Sequence, residues 1–289
     1  LAVAVDDVLM KVTHVLRGED LLSSTPRQIR VYQAMGLALE DYPVFAHLPF
    51  VMGQDNAKLS KRNGEVSIAW YRDKGFLPEA ICNYLALLGW SPGDDRENVT
   101  MKELTELFTV EKVHSSPARF DMKKLEAING DKIRALTIDE FLDWSLPFLT
   151  KAGVITGSAD EIALVKLALP LIQERIIMLS EVPAMLKFSF VKNFAVEADS
   201  VSKITDDASK QVLERSLKEL EPLATWTHES IEAALRSSLI EEMGLKPRIA
   251  FGAVRIATTG STISPPLFES MELLGKEASL ARIRAGIKL

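Results

Sequence analysis

The chain has 289 residues, 47% of them hydrophobic, which is enough to bury a sizeable core in two or three domains. Its single cysteine, Cys82, excludes an internal disulfide and a cysteine-rich zinc site, which fits a reducing cytoplasm. The formal net charge of −6 argues mildly against a nucleic-acid partner for the chain as a whole, and no apolar run approaches the roughly 20 residues that cross a bilayer.

The first 64 residues predict an α/β segment. Residues 1–16 alternate like a β-hairpin, with Asp6 and Asp7 at the turn. A run of hydroxyl residues before Pro26 then predicts the start of a helix that continues to Gly36. Residues 42–53 predict a short buried strand, and the polar residues 54–64 predict a loop. Because an apolar run begins at residue 1 without a cap or turn, we expect the natural chain to begin further upstream.

From residue 67 onward, the apolar spacing is that of helices. We expect domain boundaries near residues 64–67 and 136–137, which gives domains at 1–64, 65–136 and 137–289. The predicted helices cover residues 68–74, 78–88, 101–107, 121–129, 131–136, 137–149, 162–169, 171–179, 182–188, 209–220, 228–243, 248–258 and 266–274.

The segment Lys58-Leu59-Ser60-Lys61-Arg62 is the most informative for chemistry. It places three cations and a hydroxyl in five residues, between polar residues and Gly64. Such a loop can move and present ammonium groups to a polyphosphate, so it predicts phosphate handling. The alternative is an exposed basic turn.

Several ordered motifs carry a resemblance to a known family, and together they cover nearly the whole chain. The chain resembles the bacterial-type glutamyl-tRNA synthetases, which are class I aminoacyl-tRNA synthetases. The motifs are residues 13–21 (THVLRGEDL), 24–28 (STPRQ), 47–49 (HLP), 58–62 (KLSKR), 75–80 (GFLPEA), 83–90 (NYLALLGW), 120–125 (FDMKKL) and 264–271 (SPPLFESM).

The resemblance implies a mainly α fold in three parts. They are the C-terminal end of a Rossmann-like α/β catalytic domain, a helical junction domain that contacts the tRNA stem, and an α-helical anticodon-binding bundle. The family's other signature, a His-Ile-Gly-His-like element, is absent from the chain. We therefore expect a C-terminal fragment that lacks the first half of the catalytic domain.

The resemblance also assigns site residues. Lys58 to Arg62 correspond to the ATP-binding Lys-Met-Ser-Lys-Ser loop, in which Lys61 is the catalytic cation. Arg17 is the expected partner of the glutamate carboxylate, although a salt bridge to Glu19 or Asp20 is the alternative. Asp20 and Leu21 match nucleotide-proximal positions, whereas His14 and His47 are expected to be structural. The implied cofactors are ATP and the Mg²⁺ that accompanies it, with no protein-bound zinc.

The implied activity is ligation of L-glutamate to tRNA(Glu) through glutamyl adenylate, by a cytoplasmic protein that is expected to be a monomer. Arg175, Arg248 and Arg255 are candidate tRNA contacts, with ordinary helix-surface solvation as the alternative. Residues 244–289 contain seven Lys or Arg against three Glu, and residues 195–243 contain five against eleven acids. This asymmetry allows a basic face that attracts tRNA phosphates.

Two other functions compete with this interpretation. A truncated relative that glutamylates a modified tRNA base would lack the helical residues 137–289. A stand-alone helical RNA-binding module would bind tRNA without catalysis. We expect this chain alone to bind tRNA and not to activate glutamate.

Overall fold

The computed structural model describes residues 1–53, 59, 67–191 and 194–289. The chain divides into two units, the first formed by Leu1–Arg72 and Phe76–Ile128 and the second by Asp73–Gly75 and Asn129–Leu289. Helices dominate both units, as the fold class predicts. Across the described ranges, no helix has the length and apolarity needed to span a membrane. The predicted boundaries near residues 64–67 and 136–137 stay predictions.

The first unit contains short strands among helices. Its elements are α1 (Ala2–Leu9), β1 (His14–Gly18), α2 (Thr25–Ala34), β2 (Val44–Leu48), β3 (Val51–Met52), α3 (Ile68–Lys74), α4 (Pro78–Leu87), α5 (Met101–Leu107), β4 (Ala118–Arg119) and the start of α6 (Met122–Ala135). A 3₁₀ turn, Glu19–Ser24, joins β1 to α2. The strand predicted over residues 42–53 is therefore two strands, interrupted at Pro49, whose ring cannot donate to a strand ladder.

The strands pair in parallel. In the first pair, β1 and β2 place Arg17 opposite His47, and α2 lies in the connection between them. In the second pair, β3 and β4 place Val51 opposite Ala118. Parallel strands require a crossover connection, so α2 is the helix of a β-α-β unit. The carboxyl ends of β1 and β2 consequently lie at the same edge.

The predicted hairpin over residues 1–16 is wrong. Residues Ala2–Leu9 form α1, which packs against α2 and buries Ala4. The Tyr32 hydroxyl of α2 donates to Asp7 Oδ2 at 3.1 Å, which fixes the contact between the two helices. The valines that suggest a strand cost a helix only about 0.5 kcal/mol each. Packing against α2 overrides that local preference.

Residues of the Asn83–Trp90 motif have structural partners in the first unit. The fully buried Asn83 accepts from Val99 N at 2.8 Å and donates to Glu97 O at 3.0 Å. Trp90 is buried beside Val99 in a small apolar cluster. The side chain of Asn83 therefore fixes the loop that leads into α5.

The second unit is helical throughout its described residues. It contains the rest of α6, then α7 (Ile138–Lys151), α8 (Ala159–Ala168), α9 (Pro170–Gln173), α10 (Val182–Leu186), α11 (Ala198–Val201), α12 (Asp207–Leu220), α13 (His228–Leu235), a π-helical turn (Arg236–Glu242), α14 (Pro247–Thr259), α15 (Leu267–Leu274) and α16 (Lys276–Ile287). Thr137 and Ser158 begin α7 and α8 as capping boxes with Glu140 and Glu161.

Three predictions in the helical region are corrected by the structure. Residues 121–129 and 131–136 form one helix, α6, because Gly130 continues the helix with Ile177 and Arg134 packed around it. The helix predicted over 171–179 ends at Gln173. Helices α11 and α16 lie where no helix was predicted.

The largest described core of the second unit lies among α12 to α16. It consists of apolar side chains that are less than a tenth exposed. They are Ile204, Val212, Leu213, Leu220, Ile231, Leu235, Leu239, Ala250, Ala253, Val254, Ile256, Ala257, Leu267, Met271, Leu280 and Ile283. This core fixes α14 and α16, which carry most of the cations discussed below.

Candidate functional site

The carboxyl edge of the β1–β2 pair brings together residues from three elements. Arg17 lies near the end of β1, His47 lies opposite it on β2, and Thr25 is the first residue of α2. In open α/β sheets, ligands bind outside the carboxyl ends of the strands. This edge is therefore the position in the first unit where a ligand is expected.

The Arg17 guanidinium is held by three internal acceptors. Its Nη2 donates to Thr25 Oγ1 at 2.7 Å and to Leu21 O at 3.3 Å, and its Nε donates to His47 Nε2 at 3.3 Å. Its Cζ lies 5.5 Å from the centre of the Phe45 ring, within cation–π range. Within the described residues, Nη1 has no hydrogen-bond partner. In the part of the chain that the structure describes, the half-buried side chain thus has one nitrogen whose two hydrogens have no acceptor.

The alternative expected for Arg17, an ion pair with Glu19 or Asp20, is not formed among the described residues. Glu19 Oε1 instead accepts from the backbone amide of Phe50 at 3.1 Å. The Asp20 carboxylate lies close to Gly18, since a Cβ on Gly18 would approach Asp20 Oδ1 to 2.5 Å. Leu21 is 44% exposed, and its carbonyl accepts a hydrogen bond from Arg17. Asp20 and Leu21 therefore lie in the turn that follows the candidate carboxylate-binding residue.

Most of the predicted lysine loop lies outside the described residues. This holds for Lys58, Ser60, Lys61 and Arg62. Leu59 is described, and its amide donates to the carbonyl of Val51, the first residue of β3, at 3.0 Å.

In the second unit, Arg255 is related to both other candidate arginines, through its charge interaction with Arg175 and through the helix face that it shares with Arg248. Arg175 is exposed after α9, and its charge is one cause that lowers the pKa of Arg255, after the larger effect of burial. Arg248 lies exposed in the first turn of α14, seven residues before Arg255. Because seven residues are close to two helical turns, Arg248 and Arg255 share one face of α14.

Arg255 fixes the Ser264–Met271 motif. Its Nη1 donates to Ser264 Oγ at 2.8 Å and to Pro265 O at 3.0 Å, at the start of the segment that leads into α15. A cavity of about 170 Å³ lies beside this segment, and Phe188, Phe194 and Ser264 are among the residues that line it. The lining of the cavity combines aromatic and hydroxyl-bearing residues.

Sequence reasoning missed the role of Arg282, which is only 9% exposed. Its Nη1 donates to Thr258 O at 2.7 Å and its Nη2 to Phe188 O at 2.8 Å, while its Cζ lies 3.9 Å from the Phe194 ring centre. Burial lowers the pKa of Arg282 to about 10, so it remains charged at neutral pH. One signal was available, since Arg282 lies between the apolar residues Leu280 and Ile283.

The positive balance of residues 244–289 is consequently less available to a partner than the count predicts. Arg282 is buried, Lys276 donates to Leu223 O at 2.7 Å, and Arg284 pairs with Glu221 at 2.6 Å. Lys246, Arg248 and Lys288 remain exposed. Two of these, Lys246 and Arg248, flank the start of α14.

Groups of three or more His, Cys, Asp or Glu side chains arranged to hold a metal ion do not occur in the described ranges. A metal ion that arrives with a nucleotide would need no such group.

Comparison with known proteins gives matches along both units. Residues 1–127 match the family described as tRNA synthetases class I (E and Q), catalytic domain, and residues 122–287 match the anticodon binding domain family. A glutamate–tRNA ligase from Saccharopolyspora erythraea is 51% identical over 286 residues, which cover 97% of this chain and 57% of that protein. One from Paenarthrobacter aurescens is 50% identical over 288 residues, covering 97% of this chain and 56% of the relative.

Solved structures give the same result. The chain is similar to a glutamate tRNA ligase from Elizabethkingia meningosepticum in complex with its amino acid, with a TM-score of 0.80, 28% identity, and coverage of 99% of this chain and 59% of that one. It is also similar to the glutamate-tRNA synthetase of Elizabethkingia anophelis, with a TM-score of 0.78 and 28% identity, over 100% of this chain and 59% of that one. The chain thus spans somewhat more than half the length of the proteins it matches.

Proposed function

Because the chain belongs to the class I glutamyl-tRNA synthetase family, we propose that it forms the later part of a glutamate–tRNA ligase. The complete ligase would use ATP, with its Mg²⁺, to activate L-glutamate in the cytoplasm and would transfer the glutamyl group to tRNA(Glu). The observation that carries the proposal is Arg17, whose guanidinium lies at the carboxyl edge of β1 and β2 with Nη1 available.

Arg17 is the proposed partner of the amino acid's carboxylate. A charge-assisted bond from a guanidinium to a carboxylate is roughly twice as strong as a neutral hydrogen bond. Since Nη2 already donates to Thr25 and Leu21, the carboxylate would be met by Nη1. Asp20 and Leu21, which follow in the adjoining turn, are the proposed nucleotide-proximal residues.

Lys61 is the proposed catalytic cation of the loop Lys58 to Arg62. In activation, a carboxylate oxygen of glutamate attacks the α-phosphorus of ATP, and the bond to the departing pyrophosphate breaks. Negative charge grows on that leaving group. A lysine placed there stabilises the transition state more than the ground state, which raises the rate of the chemical step.

The second unit is the proposed tRNA-binding part. Anticodon bases are unstacked, so a protein can read them by stacking and by hydrogen bonds to their edges. The exposed Arg175 and Arg248 would meet phosphates or bases. Arg255 would hold the Ser264–Pro265 segment beside the 170 Å³ cavity.

Binding of tRNA(Glu) to the 289-residue chain tests the second part of the proposal. Arg175→Ala and Arg248→Ala should each weaken binding, and each phosphate that is no longer neutralised should reduce the slope of log K against log salt by about one. Arg284→Ala is the matched control, because Arg284 is also exposed but is paired with Glu221. Equal effects of all three substitutions would contradict the assignment.

Glutamate-dependent ATP–pyrophosphate exchange tests the first part. We expect no exchange from the 289-residue chain alone, since the chain spans about 57% of its relatives' length and lacks the His-Ile-Gly-His-like element. Exchange by the purified chain would show that this expectation is wrong. tRNA binding without exchange would also fit a non-catalytic RNA-binding module, so exchange by a complete ligase, lost on Lys61→Ala, separates the two functions.

A further inference from the structure

We propose that Thr25 and His47 are positioning residues, which hold the Arg17 guanidinium so that its Nη1 edge stays open to a carboxylate. The proposal rests on the proposed function, in which Arg17 meets glutamate. It assigns a role to two residues that local sequence explains in other ways, Thr25 as part of a helix start and His47 as a structural residue.

The protonation of the cluster follows from its donors. Arginine has only donors, so His47 Nε2 must accept the hydrogen from Arg17 Nε, and the neutral imidazole carries its proton on Nδ1. Thr25 Oγ1 accepts from Arg17 Nη2 at 2.7 Å. Its own hydrogen can then point to His47 Nε2, 3.1 Å away. The hydrogens from Arg17 Nε and Thr25 Oγ1 then share the single lone pair of His47 Nε2, which closes a triangle among the three side chains.

The backbone supplies the parts of the triangle at fixed positions. Arg17 and His47 are register partners in a parallel pair, and residues two apart on a strand share a face, which also brings Phe45 under the guanidinium. Thr25 is held by the first turn of α2. Each anchor of Arg17 therefore belongs to a regular element or to the turn between two of them.

Holding Arg17 in this way has a consequence for binding. A free arginine side chain loses rotamer freedom when it is fixed, and this entropic cost opposes ligand binding. In the triangle, Arg17 is already fixed when the protein folds, so ligand binding does not have to restrict its rotamers. Two of the three guanidinium nitrogens are committed, so the direction from which a carboxylate can approach is set by Nη1.

The test uses the intact 289-residue chain and nitrogen NMR of the side chains. We expect His47 to show the tautomer with its proton on Nδ1 and the Arg17 Nε hydrogen to exchange slowly. In Thr25→Val, which keeps the shape and removes the hydroxyl, exchange of the Arg17 Nε hydrogen should become about tenfold faster, because the charge-assisted bond from Nη2 that holds the guanidinium against His47 is removed. Thr25→Ser should restore the slow exchange.

Thr13 and His14 provide matched controls. They bond each other at 3.0 Å at the start of β1, and among the described residues neither is a hydrogen-bond partner of Arg17. Thr13→Val and His14→Gln should leave the Arg17 signal unchanged. His47→Gln, which keeps an acceptor near the same place, should retain more protection than His47→Leu. Backbone amide spectra of β1 and β2 identify any variant that loses the fold. If Thr25→Val is such a variant, the exchange rate in Thr25→Ser is compared with that of the wild type instead.

Two outcomes would overturn the proposal. One is an Arg17 Nε hydrogen that exchanges equally in the wild type and in Thr25→Val, and the other is a His47 proton on Nε2. Titration with L-glutamate, with L-glutamine methyl ester as the comparison lacking a carboxylate, addresses the proposed function separately. If the Arg17 signals do not respond to glutamate while the exchange results hold, the carboxylate assignment fails and the positioning stands.

Discussion

Gly75→Ala should destabilise the second unit by about 2 to 3 kcal/mol, of which about 1 to 2 kcal/mol is the conformational cost of the backbone. Gly75 has a φ of +86°, a region that costs an L-residue about 1 to 2 kcal/mol. A Cβ there would lie 2.6 Å from Leu179 N and 2.7 Å from Ser180 N, so the backbone must move apart. That movement breaks the bond from Leu179 N to Gly75 O, now 3.1 Å, which is worth about 1 kcal/mol.

Gly153→Ala is the matched control for this prediction. Gly153 has a φ of +67° in the same unit, but a Cβ would meet nothing within 4 Å. It should therefore show the conformational cost alone, about 1 to 2 kcal/mol. The two variants are compared by the urea midpoint of the circular-dichroism transition at a common m value. If both midpoints shift equally, the close approach of Gly75 to the Leu179 backbone has no energetic weight and the reasoning is refuted.

Three further predictions concern charges. The hydrogen bond with Glu272 raises the pKa of His228 above 6.5. The pair therefore stabilises the fold below pH 6.5, and this stabilisation is lost as pH rises through the folded pKa. Glu272→Gln should flatten the dependence of the urea midpoint on pH over that range. Hydrogen bonds from the residues before α8 lower the pKa of Glu161 to about 2. The stabilisation of the fold by the Glu161 carboxylate is therefore complete above pH 4.5 and is lost as pH falls toward 2. Acid unfolding of Glu161→Gln should lack this pH-dependent component. Arg282→Met, which keeps an unbranched stem but is shorter and has no donor, should cost about 2 to 4 kcal/mol, because two buried carbonyls lose a charged donor. An unchanged melting temperature would show that those bonds contribute nothing.

Local chemistry explains which elements were predictable. The capping residue Thr137 and the proline at the start of α4 mark helix starts in any context, and the structure has helices there. The hairpin prediction failed because the contact that selects a helix, from Tyr32 to Asp7, joins residues 25 positions apart. Alternation of valines contains no information about that partner.

In the candidate site too, some features follow from local sequence and others depend on residues far apart in the chain. The place of Arg17 near the end of a strand was predicted from the sequence and is confirmed, whereas its role toward a carboxylate stays a prediction. The contributions of Thr25 and His47 depend on the parallel register of β1 and β2, which sets residue 17 against residue 47. Arg282 was counted as a surface cation because a charge count cannot distinguish a buried guanidinium from a solvated one. Pairing across long separations is what the sequence pattern leaves undetermined.

The bonds of Arg282 also affect when α16 can dock during the folding of the second unit. Its two acceptors, Thr258 and Phe188, precede it by 24 and 94 residues. Since synthesis proceeds from the N-terminus, the Phe188 segment leaves the ribosome well before its partner exists. Closing a loop of this length carries an entropic cost that local helices do not have, so docking of α16 should be a late step. Until α16 docks, the carbonyl of Phe188 accepts its hydrogen bonds from water or from a protein bound to the nascent chain.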